Sequence, residues 1–478
     1  MCRVCVTMFG FGSLLTMLVV GAPVALGVPT LTVDSFEDTF DGSCVDGDCS
    51  FRDAIAAVDP GGTVRMPPGF YPLTLAGGGA AAGDVDLDRP VTIVGIGETG
   101  TFIGASALGD RVFQVTTDVV LRHLTLLGGS AVETGGVVRA TSGTLTLHRA
   151  TIFGGRARDG GAIAVGGDAT ATIQRSWISE SRAEGRGGAL LVRGTTVLSR
   201  TTISGNRARG GGGAFVAPFA SLSIDDATVS QNAAVRGGGI RGIGDVDLFS
   251  STVAANRAEV GGGVLLSQTS ESTTTNSVFA RNRASDRGAL CVRRLLSNGH
   301  NVADVRGCGL TGPGDVTGVD PRLGVLRQNG GPTPTHALKD DSPAVGRGAG
   351  CNPTDQRGAP RSDCDSGAYE LVRCLGSPIT IVGTSGPDEL SGGPGRDVFL
   401  GLGGDDELQG SLGADRACGG VGRDRLIGGP GDDRLAGNRD RDVLLGEGGD
   451  DRLNGGRGVD ICRGGEGRDV TRRCETVS

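Results

Sequence analysis

The amino-acid sequence predicts an all-β protein made of two stacked solenoids. A right-handed parallel β-helix with coils of about 25 residues comes first, and a narrower parallel β-roll follows it. Three observations predict this class. Glycine supplies 88 of the 478 residues and aromatic residues only 4%, which argues against a large aromatic core. Glycine pairs recur about every 25 residues between 119 and 295, and a Gly–Asp pattern recurs every nine residues between 383 and 472. Units this short bury a core only by stacking on their neighbours.

The N-terminus has the pattern of an export signal. Arg3 gives a positive start, Val6 to Val20 is mostly apolar, and Ala25-Leu26-Gly27 has small residues where signal peptidases cut. We therefore expect residues 1–27 to be a signal peptide and the mature chain to be secreted, extracellular or associated with the cell surface. An uncleaved N-terminal anchor is the alternative. No later segment is apolar enough to span a membrane.

The β-helix is expected over residues 119–295, where each coil repeats one pattern. Runs such as Thr144-Leu145-Thr146-Leu147 and Ser221-Leu222-Ser223-Ile224 alternate apolar and polar residues, which is the period of a strand. A second short run, a turn with asparagine, a glycine pair and a third run follow. The second glycine of each pair lies at Gly136, Gly161, Gly188, Gly213, Gly239 and Gly263, with Gly288 closing the series. The alternatives are a β-sandwich or a propeller, but propeller blades need longer periods.

The segments on either side, 28–118 and 296–373, are expected to cap and end this solenoid. Cys44 and the run Cys49-Ser50-Phe51-Arg52-Asp53-Ala54-Ile55 resemble the CSLREA domain of bacterial extracellular β-helix proteins. Asn329-Gly330-Gly331-Pro332-Thr333-Pro334-Thr335-His336-Ala337-Leu338 and Cys364-Asp365-Ser366-Gly367-Ala368-Tyr369-Glu370 resemble the choice-of-anchor Q domain. The resemblance implies a secreted or surface protein and no agreed chemistry.

The C-terminal segment, 374–478, contains ten nonapeptide units that begin with glycine at Gly383 and end with the unit at Gly464. The fourth residue is glycine in all units except one, which has Asp440. The eighth residue is mostly apolar, as in Leu390, Phe399 and Leu408. The sixth residue is always aspartate: Asp388, Asp397, Asp406, Asp415, Asp424, Asp433, Asp442, Asp451, Asp460 and Asp469. This pattern resembles the hemolysin-type repeats-in-toxin family.

The chemistry of these repeats predicts calcium binding. Calcium takes six or more oxygen ligands in a flexible cage. A glycine-rich turn offers backbone carbonyls and one carboxylate, and the next stacked turn completes the cage. Residues 383–472 contain 18 acidic residues and 12 arginines, so bound cations would relieve repulsion and stabilise a roll whose core is one side chain thick. We expect several calcium ions, fewer near Asp440, Ala417, Cys462 and Thr471. The alternative is a metal-free solenoid in which aspartates cap turns.

Ten cysteines remain once Cys2 and Cys5 of the leader are set aside, an even number that suits pairing in an oxidising compartment. Proximity in the sequence suggests the pairs Cys44–Cys49, Cys291–Cys308, Cys351–Cys364 and Cys462–Cys474, which leaves Cys374–Cys418. The sequence alone does not establish this connectivity.

Alignment of the coils places charged residues in two columns. One lies at a turn and contains His123, Arg149, Arg175, Arg200 and Asp226, and the other contains Arg156, Arg182, Arg207, Arg257 and Arg283. Stacked like charges repel unless acids offset them or an anion binds. The columns therefore predict either a solvated face neutralised by acids such as Glu184, Asp159 and Glu259, or a ladder for an anionic ligand.

Several functions are disfavoured. A net charge of −8 argues against nucleic acid as a partner. The formal G-x-G-x-x-G motif at Gly95–Gly100 lacks the helix that a nucleotide cofactor needs. Asp225 and Asp226 are the best paired carboxylates, but neighbours on a strand point to opposite faces. The sequence therefore favours a secreted calcium-binding adhesion or glycan-interacting display protein over the alternative, an extracellular polysaccharide lyase or glycoside hydrolase.

Overall fold

A computed structural model describes residues 30–45, 47–77, 82–96, 100–292, 295–306 and 308–477. The expected signal peptide, with Cys2 and Cys5, lies outside the described residues, as do three residues of the Gly95–Gly100 motif. The described residues form parallel sheets almost throughout, which confirms the predicted class of a parallel β-helix followed by a β-roll. The exception to an all-β fold is one helix, Phe51–Ala57.

Three parallel sheets, here called A, B and C, run along the β-helix. Most coils add up to two strands to sheet A and one strand each to sheets B and C. Sheet A contains Thr30–Thr32, Gly62–Arg65, Val85–Leu87, Val91–Val94, Phe113–Val115, Val119–Arg122, Val138–His148, Ile163–Gln174, Leu190–Val192, Thr195–Ser199, Ala214–Val216, Ser221–Asp225, Ile240–Gly242, Asp245–Phe249, Val264–Leu266, Thr273–Thr275, Cys291–Val292 and Leu296–Gly299. Sheet B contains Gly69–Pro72, Thr101–Gly104, Thr125–Leu127, Thr151–Phe153, Trp177–Ser179, Thr202–Ser204, Thr228–Ser230, Thr252–Ala254, Val278–Ala280, Val302–Ala303 and Val316–Thr317. Sheet C contains Ser130–Thr134, Arg156–Asp159, Arg182–Ala183, Arg207–Gly210, Ala233–Arg236, Arg257–Val260 and Arg283–Arg287.

Apolar residues at equivalent positions stack inside the coils. Ile152 pairs with Ile178, Ile178 with Ile203, and Ile203 with Val229 along sheet B. All four side chains are buried. Because the strands are in register, each coil covers the apolar layer of the previous one, and the repeat spacing of the sequence becomes the spacing of the core.

The corner between sheets A and B has a residue in the left-handed conformation in most coils. His123, Arg149, Arg175, Arg200 and Asp226 have φ between 46° and 56°. This is the first of the two predicted charged columns, and it continues through Ser250, Asn276 and His300. A positive φ turns the chain sharply between two strands, so the column lies at a turn, where the alignment of the coils places it.

The asparagines of the predicted turns form a buried ladder. The side-chain amide of Asn206 donates to Oδ1 of Asn232, that of Asn232 to Asn256, and that of Asn256 to Asn282, each at 3.0 Å. The backbone N–H of each of the first three donates to the same oxygen of the next. The amide groups therefore satisfy backbone and side-chain hydrogen bonds inside the solenoid.

The helix Phe51–Ala57 covers the N-terminal end of the solenoid. Ser50 caps it by accepting from the Asp53 N–H, and Phe51 packs against Phe113 with ring centroids 6.1 Å apart. The buried Arg52 forms an ion pair with Asp38 at 2.5 Å. A Ser followed three residues later by an acid is a helix-start signal that the all-β prediction did not use.

Residues 320–372, here called the fold-back segment, leave the stack and lie along sheet B. The segment includes an antiparallel pair, Leu323–Arg327 with Thr335–Leu338. Thr202 donates to the carbonyl of Pro334 at 2.6 Å, and Thr228 donates to Gln356 at 2.7 Å. We expected this part of the chain to end the β-helix, but only the strands up to Val316–Thr317 continue the coils. Hydroxyl groups on sheet B gain partners from the segment.

The C-terminal β-roll consists of two parallel six-stranded sheets. The first contains Ile381–Val382, Val398–Gly403, Arg416–Val421, Arg434–Arg439, Arg452–Arg457 and Val470–Arg472. The second contains Glu389–Ser391, Glu407–Gln409, Arg425–Pro430, Val443–Gly448, Ile461–Glu466 and Thr476–Val477. Eighth-position residues from Phe399 to Cys462 are buried between the sheets in a single row. A short antiparallel pair, Arg373–Cys374 with Ser377–Pro378, precedes the roll.

Five disulfides join the ten cysteines of the described residues: Cys44–Cys49, Cys291–Cys308, Cys351–Cys364, Cys374–Cys418 and Cys462–Cys474. These are the pairs that proximity in the sequence suggests. Cys374–Cys418 links the segment just before the roll to Arg416–Val421, the third strand of its first sheet. Within the described part of the chain, the one helix has seven residues and is too short to cross a membrane.

Candidate metal centre

The ten aspartates at the sixth position form two columns, one along each edge of the roll. Two nonapeptides make one turn, so neighbours within a column are 18 residues apart. One column contains Asp388, Asp406, Asp424, Asp442 and Asp460, and the other contains Asp397, Asp415, Asp433, Asp451 and Asp469. The structure therefore brings the predicted residues together as two rows on stacked turns.

One oxygen of each inner aspartate is fixed by the backbone. The N–H of Asp415 donates to Oδ1 of Asp433 at 2.7 Å, and the N–H of Asp433 donates to Oδ1 of Asp451 at 2.8 Å. The same bond recurs along both columns at 2.7–3.1 Å. At the end of one column, the N–H of Asp460 donates instead to Glu475 at 2.5 Å. The recurring bond from a backbone N–H to Oδ1 sets the orientation of each carboxylate along the columns.

The second oxygen of the inner aspartates has no hydrogen-bond partner among the described residues. The orphaned atoms are Oδ2 of Asp406, Asp415, Asp424, Asp433, Asp442, Asp451 and Asp460, all of them buried. Buried polar atoms are nearly always paired, and an unpaired buried carboxylate oxygen is costly. Seven such atoms in two regular rows indicate a missing positive partner.

The first glycine of each unit makes room for this second oxygen. A Cβ on Gly428 would overlap Oδ2 of Asp433, and a Cβ on Gly437 would overlap Oδ2 of Asp442. A Cβ on Gly392 would lie 2.7 Å from Oδ2 of Asp397. Glycine is therefore required at this position because the carboxylate of the same unit points into its turn.

Burial raises the pKa values of these aspartates. The pKa is raised to about 7 for Asp433 and Asp442, first by removal from water and then by the charges of neighbouring aspartates. Burial likewise raises the pKa of Asp406, Asp424 and Asp451 to about 6. A nearby cation would reverse this effect by favouring the charged form.

The other oxygens around each carboxylate belong to the backbone. The described residues contain no group of three or more His, Cys, Asp or Glu side chains placed to hold a metal, so side chains alone do not make a site. A Cβ on Gly410 would overlap both Oδ2 of Asp415 and the carbonyl of Gly428 in the next turn, so a backbone oxygen lies beside this carboxylate. A donor set of carboxylates and carbonyls fits a hard cation such as calcium, whereas zinc prefers nitrogen and sulfur.

The ends of the columns differ from the middle. Oδ2 of Asp388 accepts from the N–H of Thr384 at 2.5 Å and from its hydroxyl at 3.0 Å, and Oδ2 of Asp397 accepts from the N–H of Gly393 at 2.9 Å. Asp469 is only half-buried. The inner seven aspartates are therefore the strongest candidate ligands, and the first two units have a local alternative for their carboxylates.

Two residues refine the sequence interpretation. Asp440 keeps a positive φ, as most glycines at this position do, but its φ of 73° is smaller than their 109–158°. Glu475 takes the place of the next aspartate after Asp460, but it follows by 15 residues and not 18. The nine-residue period could not find it, because the last turn is shorter than the others.

The two arginine columns lie in different places. Arg149, Arg175 and Arg200 are half-buried at the corner between sheets A and B. The other column is exposed at the start of the strands of sheet C. It runs through Arg156, Arg182 and Arg207, is interrupted by Ala233, and resumes at Arg257 and Arg283.

The expectation that Asp225 and Asp226 point to opposite faces is wrong. Asp226 has a φ of 46° and lies at the corner beyond the strand, so both carboxylates accept from the Asn352 side chain at 2.8 Å. Asp226 also pairs with Arg361 at 2.8 Å. Both contacts come from the fold-back segment, which buries Asp226 and makes the pair part of the packing.

Comparisons with known proteins agree with the chemistry of the roll. Residues 382–417, 409–444 and 437–470 match the RTX calcium-binding nonapeptide repeat family. The array of nonapeptides therefore binds multiple calcium ions.

Two solved structures show some similarity over a larger part of the chain. Pectate lyase Pel9A is 14% identical over 72% of this chain and 97% of its own, with a TM-score of 0.42. The PL6 family alginate lyase AlyGC is 10% identical over 89% of this chain and 80% of its own, with a TM-score of 0.25. No curated protein matches the chain.

Proposed function

We propose that the protein is a secreted β-solenoid whose β-helix is an extracellular adhesion or glycan-interacting surface and whose C-terminal roll is stabilised by calcium. The rows of orphaned Oδ2 atoms carry the calcium part of this proposal. Bound calcium supplies the positive charge that the buried carboxylates lack, and its binding free energy adds to the stability of the folded roll.

The cysteines support an extracellular location. Five disulfides join all ten cysteines of the described chain, and structural disulfides persist mainly in oxidising compartments. The leader expected at residues 1–27 agrees with this location. The low free calcium of the cytoplasm would leave the roll without its stabilising ions until export.

The alternative is a polysaccharide-active enzyme on the β-helix. Such an enzyme would need two carboxylates, or a base with a metal, facing a substrate groove. Asp225 and Asp226 are the nearest such pair, and Asn352 and Arg361 hold both beneath the fold-back segment. This placement favours a role in packing and hence a display protein.

A panel of polysaccharides separates the two functions. The full-length protein in calcium is incubated with acidic and neutral polysaccharides, and bound polymer is measured beside new reducing or unsaturated ends. The display proposal predicts retention of at least one polymer without new ends. Release of new ends would replace it with the enzyme, and neither retention nor release would remove the glycan-interacting part.

A further inference from the structure

A cleft of about 1040 Å³ lies where three parts of the chain meet. The corner column of the β-helix contributes Arg149, Arg175 and Arg200. The fold-back segment contributes Arg327 and its neighbours, and the first units of the roll contribute residues including Arg396. Distant parts of the sequence thus converge on one space, and one of its walls exists only where the roll is folded.

The positive charges of this cleft are not balanced. Five of its arginines, Arg149, Arg175, Arg200, Arg327 and Arg396, form no ion pair with any described residue. The sixth, Arg357, is paired with Asp355 at 2.8 Å, and Asp397 is the one acid among the described lining residues. The cleft therefore has a surplus of positive charge.

Neutral groups hold several of these arginines in place. Arg200 donates to the Thr354 hydroxyl, Arg327 to Asn329 at 2.9 Å, and Arg396 to the Ser377 hydroxyl at 2.6 Å. Nε of Arg149 is buried and has no hydrogen-bond partner among the described residues. The guanidinium groups are therefore oriented, and their charges remain available to a ligand.

The shifted pKa values show that the positive charges near the corner column repel one another. Burial and the charges of Arg200 and Arg149 lower the pKa of Arg175, and burial with Arg149 and Arg175 lowers the pKa of His148 to about 4. Stacked coils place successive corner arginines about 4.8 Å apart. Like charges at this spacing repel one another unless an anion lies between them.

We propose that this cleft binds a segment of a linear carboxylated polysaccharide and that folding of the first units of the roll completes the site. The proposal rests on the proposed function and names its ligand class. A row of arginines suits a polymer that repeats its carboxylates along a chain, and guanidinium groups bind carboxylates through paired hydrogen bonds. A single small anion would leave most of the charges unmatched.

The lining of the cleft disfavours nucleic acid. None of the described lining residues is aromatic, so there is no platform on which bases could stack. Recognition here depends on local charge, which an acidic polysaccharide supplies without bases.

The experiment is calorimetry of the full-length protein with oligogalacturonate in calcium. Arg149→Gln and Arg175→Gln are each expected to weaken binding about tenfold, because each removes a charge-assisted contact. Arg182→Gln, the same change in the exposed column on sheet C, is the matched control and should bind like the wild type. All proteins share one buffer, so calcium bound by the sugar affects them equally. Thermal melting of each variant checks that it is folded.

The proposal would be overturned if the wild type and both cleft variants bound oligogalacturonate equally well, or if Arg182→Gln weakened binding as much as the cleft variants do. It would also be overturned if inorganic sulfate bound as tightly as oligogalacturonate, or if single-stranded DNA bound more tightly than oligogalacturonate. Chelation of calcium should weaken oligogalacturonate binding, and unchanged binding would reject the role of the roll. Calcium binding is measured separately without sugar. If the protein binds calcium but not oligogalacturonate, only the cleft proposal is rejected. If the protein does not bind calcium, the proposed function is rejected as well.

Discussion

The carboxylate of Asp433 shows how one residue combines two roles. Oδ1 accepts a hydrogen bond from the backbone of the previous turn, which any acceptor could do, whereas the buried Oδ2 has no partner in the part of the chain that the structure describes. The first role belongs to the fold and the second to the metal. A substitution that keeps Oδ1 and removes the charge separates them.

Asp433→Asn is expected to act in opposite directions with and without calcium. In chelator the variant should be at least as stable as the wild type, because a buried unpaired charge is gone. In calcium it should bind the ion at this turn at least tenfold more weakly, a loss of about 1.4 kcal/mol. Calorimetric titration and chemical denaturation in both conditions measure the two effects. The exposed neighbour Asp432 is the control, and Asp432→Asn should leave calcium affinity unchanged. Equal losses for both variants would contradict the assignment.

The first glycine of a unit gives a second test at this scale. Gly428→Ala puts a Cβ where Oδ2 of Asp433 lies, whereas Gly448→Ala meets nothing within 4 Å. We expect the first change to destabilise the roll by about 1–3 kcal/mol and to weaken calcium binding. The second change should do neither. Denaturation midpoints of the two variants in calcium measure this difference. Similar midpoints would show that the carboxylate does not occupy the turn.

The sequence predicts the metal-binding residues better than it predicts their detailed geometry. The nine-residue period finds all ten aspartates because ligand position and repeat position coincide. It cannot reveal that Thr384 engages Asp388 or that Glu475 ends a column, because these contacts occur where the repeat stops. The coil alignment places Asp226 correctly at a turn, but its orientation relative to Asp225 was wrong, because the alternation of a strand does not continue into a left-handed corner residue.

At the scale of elements, the asparagine ladder stabilises the stack of coils. Asn232 accepts from the backbone N–H and side-chain amide of Asn206 and donates to Asn256 and to the carbonyl of Ile203. Asn232→Ala should destabilise the β-helix by about 2 kcal/mol or more, because buried groups on both sides lose a partner. Exposed Asn298 is the control, and its replacement by alanine should cost less than about 0.5 kcal/mol. Denaturant unfolding measures both, and equal small effects would mean that the ladder adds little.

Elements that repeat were predictable and elements that do not repeat were missed. Because the coils stack in register, equivalent positions in successive coils need similar residues. The spacing of glycine pairs and alternating runs therefore predicts the strands. The fold-back segment contacts coils far away in sequence, as in Thr202 with Pro334, and no local period encodes such a pairing. The helix Phe51–Ala57 has one signal, Ser50 with Asp53, too short to be seen in a β-rich chain.

At the scale of the whole molecule, the contacts of the fold-back segment with the β-helix should depend on pH. Burial raises the pKa of Asp226 to about 6 from 3.8, even though Arg361 opposes the shift. The pKa of Asp226 is higher in the folded protein than in the unfolded chain. Its contribution to the free energy of unfolding is therefore complete below about pH 4 and is lost as the pH rises through about 6. Its upper limit is about 3 kcal/mol.

Asp226→Asn should therefore flatten the decline in stability between about pH 4 and pH 6. Denaturant unfolding at saturating calcium across this range compares the variant with wild type and with Asp168→Asn, an exposed acid on the same solenoid. The roll is unaltered in all three proteins, so its own dependence on pH cancels. A slope identical to the wild type in Asp226→Asn would show that this buried acid is not the source.

The account depends most on calcium as the missing partner of the buried carboxylates in the roll. Hydrogen exchange of the full-length protein, followed by mass spectrometry of peptides in calcium and in excess chelator, tests this directly. We expect amides in residues 398–466 to lose most of their protection in chelator, while β-helix peptides from residues 138–280 keep theirs and serve as the internal reference. Equal protection of the roll in calcium and in chelator would contradict the central claim.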